Sequence, residues 1–94
     1  MELGKVVGQV VSTVRDHGLP NLTFLLVDIV DSTGKVIFPG QVAADTLGAG
    51  EGEMVLLVRG SSARLIRESK TPLDLSVIGI VDQVTSGKEA IYTK

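Results

Sequence analysis

The sequence predicts a mainly all-β fold: a small five-stranded OB-like β-barrel with one short helix before its last core strand. Three observations carry this expectation. The hydrophobic fraction of 44% is built almost entirely from Val, Ile, Leu and Ala, and β-branched side chains pack well on a pleated surface but lose rotamer freedom in a helix. Within 94 residues there are 11 glycines, enough to punctuate short apolar runs with turns and bends. Five such runs, with one short serine-capped segment before the last, match a small closed or partly open barrel.

The first strand is expected over Leu3–Val14, bent where Gly4 and Gly8 lack side chains. The run from Asp16 to Asn21 is rich in turn formers and reads as a loop. Leu22–Val30 is a second strand, apolar nearly throughout, so both of its faces are expected to be partly covered. Asp31-Ser32-Thr33-Gly34 closes a hairpin by turn chemistry. A third strand over Val36–Ala44 is interrupted by Pro39-Gly40, and because proline cannot donate to a ladder, that interruption belongs at an edge or a bulge. Thr46–Gly52 is a loop and Glu53–Arg59 a fourth strand. Ser61 or Ser62 caps a short helix over Ala63–Arg67, its side-chain oxygen accepting from the first orphan N–H groups, and Pro72 ends that segment. Leu75–Val84 is a fifth strand centred on Gly79, followed by a short tail strand around Ala90–Tyr92. There is no internal repeat, linker or low-complexity stretch, so residues 1–94 are read as one domain.

Composition narrows the function. A net charge of −2 provides no general attraction for nucleic acid or an anionic membrane. The absence of cysteine removes disulfides, thiolate catalysis and thiolate metal sites together. The opening MELGKVVGQVV, with Glu2 and Lys5 among its apolar residues, reads as neither signal peptide nor anchor. No apolar run approaches the roughly 20 residues of a spanning helix, so a soluble protein compatible with the cytosol is expected. Chains of this size bury only about 60–68% of the surface their unfolded state exposes. Oligomerisation would use the aliphatic excess.

The sites that chemistry would need are each better explained without it. His17 is the single histidine, beside Asp16 and Gly18 in a loop, with no identifiable triad or metal partner. Asp28, Asp31, Asp45, Asp74 and Asp82 offer carboxylates for acid–base work, but capping turns and bonding loop backbone is the simpler reading. The loop Gly48–Glu53 (GAGEGE) resembles a phosphate cradle in its glycines alone: no lysine follows, Glu51 and Glu53 would repel an anion, and a strand stands where a helix is required. Its glycines instead permit positive φ or the close approach of a second backbone. Arg59, Arg64, Arg67 and Lys70 form a basic cluster, read as a subunit or partner contact, a solvated surface or, least well, a nucleic-acid surface. A single-stranded nucleic-acid-binding OB module is thus the alternative function, weakened because Phe24, Phe38 and Tyr92 are the only aromatics for stacking. GSSAR at Gly60–Arg64 is not a nucleophile elbow. No catalytic, metal or cofactor residue is assigned, and no enzyme is expected.

Three motifs, in order and at matching separations, resemble one known family. VAADTLGAGEGEMVLLVRGSSAR (Val42–Arg64), DLSVIGIVDQV (Asp74–Val84) and GQVVSTVRDHGL (Gly8–Leu19) are similar to the EutN/CcmL family of bacterial microcompartment vertex proteins, most of all its ethanolamine-utilisation branch. The resemblance implies a homopentameric structural shell protein in the cytoplasm, capping vertices of a polyhedral microcompartment shell. Its implied partners are further copies of itself and hexameric shell proteins, with no nucleic acid, membrane or cofactor. It also implies subunit-contact or ring-lining roles for Asp45, Gly48, Ala49, Gly50, Gly52, Glu53, Gly60, Ser61, Ser62, Ala63 and Arg64. Arg64 is foremost among these, since a guanidinium can hold carbonyls or a carboxylate across a subunit boundary in fixed geometry. Two departures stand out: Thr23-Phe24 precede Leu25-Leu26 where family members often carry a lysine, and Val36–Gln41 matches no family pattern, which suits recognition of a subtype's own neighbours.

Overall fold

A computed structural model describes residues 1–11, 23–60 and 74–94. Its strands are β1 (Glu2–Val10), β2 (Thr23–Val30), β3 (Val36–Asp45), β4 (Met54–Arg59), β5 (Leu75–Val81), β6 (Gln83–Ser86) and β7 (Glu89–Thr93). The first five close into a barrel in the order β1-β2-β3-β5-β4, and β6 and β7 form a separate two-stranded sheet. Every barrel pairing is antiparallel except β3 with β5, which meet in parallel at Ala44↔Ser76. This is the expected OB-like barrel. The helix expected over Ala63–Arg67, the loop at Asp16–Asn21 and the distal part of the first strand lie outside the described residues.

Alternation along the strands builds the core. Leu25, Val27 and Ile29 of β2 point inward and pack with Val6, Ala43, Val55, Leu57, Leu75 and Val77, as period-two geometry requires. The interior is therefore aliphatic. The second face of β2 is apolar as well: Phe24 is buried and Leu26 half-buried, with Leu26 registered between Gly8 of β1 and Val42 of β3. That is the two-sided cover expected of this run.

The strands bend through bulges. β1 gains an extra residue at Val7, between the pairs Val6↔Val27 and Gly8↔Leu26, and β5 gains one at Ile78, between Leu57↔Val77 and Leu56↔Gly79. The Pro39-Gly40 interruption is a bulge too: Val27↔Gln41 is followed by Ile29↔Phe38. Gly40 adopts φ +67°, and its N–H donates to Asp28 Oδ1 at 2.9 Å. Extra residues of this kind raise local twist and let a small sheet close. Gly4 permits a close approach, since a Cβ there would lie 2.6 Å from Leu57 Cδ1.

The fifth strand departs from expectation. Rather than running to Val84, β5 ends at Val81, and after Asp82 the chain starts the β6–β7 hairpin. The short tail strand is thus half of a hairpin, and Val84 pairs with Tyr92. Only the polar pair Asp82-Gln83 separates Val81 from Val84, and so short an interruption does not by itself distinguish a break from the exposed face of a continuing strand.

Candidate functional site

The GAGEGE loop follows β3 and leads into β4, and two carboxylates hold it from within. Asp45, at the end of β3, is 3% exposed. Its Oδ1 accepts from Leu47 N at 2.9 Å, and its Oδ2 accepts from Gly48 N at 3.2 Å and Ala49 N at 2.9 Å. An aspartate that folds the following backbone onto its own side chain is the Asx-type arrangement that makes a turn rigid. Glu53 closes the other end, its Oε1 accepting from Gly50 N at 2.6 Å. Backbone bonds pin the loop to β1: Gly52 N donates to Val6 O at 2.8 Å and Val6 N to Glu53 O at 2.9 Å. Glu53 N also donates to Gly50 O at 3.1 Å.

These bonds decide between two readings of the glycines. An anion cradle requires backbone N–H groups directed at a ligand. Here the N–H groups of Leu47, Gly48, Ala49, Gly50, Gly52 and Glu53 are all spent inside the protein. The glycines serve conformation instead, Gly48 with φ +81° and Gly52 with φ +89°, values that side-chain-bearing residues rarely adopt. The result is a firmly held loop on which Thr46, Leu47 and Glu51 are exposed.

A second tie reaches the loop from the β6–β7 hairpin. Lys94 Nζ lies 2.9 Å from Glu53 Oε2, Lys94 N donates to Asp82 O at 2.8 Å, and Met54 N donates to Tyr92 Oη at 3.3 Å. The Lys94 ammonium, and after it the Gly50 N–H, holds the Glu53 carboxyl below the usual glutamate range. Glu53 in turn pushes the Lys94 ammonium up. Neither Lys94 nor Tyr92 is suggested by sequence spacing, because both partners lie about forty residues away along the chain.

The remaining candidates take structural places. Asp31 Oδ1 accepts from Thr33 N, Thr33 Oγ1 and Lys35 N, and the Thr33 hydroxyl is the main reason its carboxyl sits below the usual range. With Asp45 bonded to its loop, two of these five aspartates bond turn or loop backbone, as their residue type suggested, while Asp28 bonds the backbone of the Gly40 bulge within β3. Arg59 is ion-paired with Glu2 at 2.5 Å, and its Nη1 lies 3.6 Å from Asp74. That leaves the basic cluster one member fewer for a polyanion. Gly60 adopts φ +61° beyond β4, its N–H donating to Asp74 O at 2.8 Å. His17, Ser61, Ser62, Ala63, Arg64, Arg67 and Lys70 lie outside the described residues. The sequence-predicted set is therefore brought together from Asp45 to Glu53, with Gly60 apart at the far end of β4.

Comparison with known proteins gives one consistent result. Residues 1–82 match the family described as ethanolamine utilisation protein EutN/carboxysome. The chain is 52% identical to the bacterial microcompartment shell vertex protein EutN of Escherichia coli strain K12, over the whole of both chains. It superposes on the structure of CcmL from Gloeobacter violaceus with a TM-score of 0.90 at 41% identity, covering 100% of this chain and 98% of that one. It also superposes on GrpN, a pentameric microcompartment shell protein from Rhodospirillum rubrum, with a TM-score of 0.83 at 41% identity over 93% of this chain and 100% of the other.

Proposed function

The chain belongs to the EutN/CcmL family, and on that premise we propose how its loop and edges serve a shell. The protein is a structural component of a bacterial microcompartment shell, a homopentamer that caps vertices, and not an enzyme. The observation that carries this is 52% identity to a shell vertex protein over the whole of both chains, on a barrel that superposes on such proteins. Geometry makes the role intelligible. A head-to-tail contact generates a closed ring when its rotation closes, and a sheet of hexagonal tiles cannot close into a polyhedron without pentagons.

In our reading the Gly48–Glu53 loop and the Gly60–Arg64 segment, with Asp45 as the clamp, form the contacts between copies or line the ring. Rigidity supports this, because a loop fixed before association loses little entropy on docking. The outer rim then meets hexagonal shell tiles. Co-expression with such tiles tests the role: closed polyhedra are expected by electron microscopy with this chain, and sheets or open tubes without it. Equal closure in its absence would contradict the vertex role.

A further inference from the structure

We propose that the first half of β3, Val36–Phe38, is a docking strip for a second copy of this chain. Val36, Ile37 and Phe38 are 43%, 48% and 55% exposed. Three consecutive exposed residues place both faces of the strand in water, because successive side chains point to opposite sides. β3 pairs with β2 along this stretch and meets β5 in register only at Ala44↔Ser76. Its other edge from Val36 to Gln41 has no strand beside it among the described residues. From Val36 to Val42 the sequence VIFPGQV carries no charge, so only Pro39 and its bulge blunt this edge. Uncovered apolar edges of this kind are templates for pairing and are normally protected.

Charge and timing identify the occupant. A contact with a hexagonal tile forms only as a shell assembles, so the face that makes it must stay wet and dispersed beforehand, which favours polar side chains. A face covered permanently inside a ring can be as apolar as a core. The uncharged strip fits the second case. The bulge is itself fixed by the Asp28–Gly40 bond, so the strip is held in place before a partner arrives. The inference rests on the pentameric reading and adds where the ring is sealed: on β3, by residues outside the glycine loop.

Phe38→Asp in the full chain tests it, with light scattering and native mass spectrometry on variant and wild type together. The variant is expected to fall to the monomer at concentrations where the wild type is a pentamer, a shift of at least about tenfold in dissociation constant, or about 1.4 kcal/mol. A variant with the wild-type mass and concentration dependence overturns the proposal. So does a pentameric variant that fails to join hexagonal tiles, which would assign the strip to them. A wild type that is monomeric throughout removes the pentamer reading and this proposal with it. Should Phe38→Asp fail to fold, Ile37→Cys in this cysteine-free chain keeps the question open to measurement. Its thiol is expected to react with maleimide at least about tenfold more slowly in the ring than in dissociated chains, and equal rates overturn the proposal.

Discussion

Glu53 and Lys94 join the glycine loop to the β6–β7 hairpin: one carboxylate oxygen takes the Lys94 ammonium at 2.9 Å while the other takes the Gly50 N–H at 2.6 Å. A single side chain thereby ties the loop to an element that the sequence shows only as a tail.

The tie has a pH signature. Glu53 has its folded-state pKa lowered, chiefly by Lys94, so its contribution to stability is present above the usual glutamate range and is lost as pH falls through the folded value. Lys94 has its pKa raised, so its contribution is present below the usual lysine value and is lost as pH rises through the raised one. Glu53→Gln should therefore flatten the urea midpoint against pH below about pH 5. Asp31, also lowered, keeps part of the acid slope. A slope equal to that of the wild type would contradict the tie.

Asp45→Ala should cost about 2–3 kcal/mol, because it strands N–H groups that a buried carboxylate now accepts. Asp45→Asn, with one acceptor oxygen in place of two, should fall between. Urea denaturation of both variants checks the order, and a neutral Asp45→Ala would show that the loop does not depend on its clamp.

Two glycine substitutions separate strain from crowding. Gly52→Ala meets open space but must hold φ +89°, so a cost of about 1–2 kcal/mol is expected from backbone conformation alone. Gly4→Ala places a Cβ 2.6 Å from Leu57 Cδ1 and 3.4 Å from Asp28 O, and should cost about 1–3 kcal/mol by overpacking. Pairing Gly4→Ala with Leu57→Ala should recover part of that crowding cost, whereas Leu57→Ala should leave the Gly52→Ala cost unchanged.

Arg64→Ala should weaken the ring while leaving the far-ultraviolet spectrum of the barrel intact. Light scattering across a dilution series reads this directly. A dilution curve identical to that of the wild type would remove Arg64 from the subunit contact.

Much of this was legible in the residues because local chemistry dictated it. The Pro39-Gly40 bulge follows from a missing N–H, the alternation of Leu25, Val27 and Ile29 from strand period, and the turn role of Asp31 from its short acceptor side chain. Asp45 is the instructive middle case: an aspartate followed by Thr-Leu-Gly-Ala is an Asx-turn pattern, yet its burial appears only once the barrel closes around it. The break at Asp82 and the Lys94 and Tyr92 contacts were not legible. Valines on both sides of the short polar pair Asp82-Gln83 mask the first, and the others join segments far apart in the chain.

Native mass spectrometry of the intact chain under gentle conditions counts the copies in the ring. A vertex-capping pentamer should give a dominant species of five times the mass of one chain, persisting on dilution into the micromolar range. A purely monomeric spectrum, or a dominant species of any other stoichiometry, would contradict it.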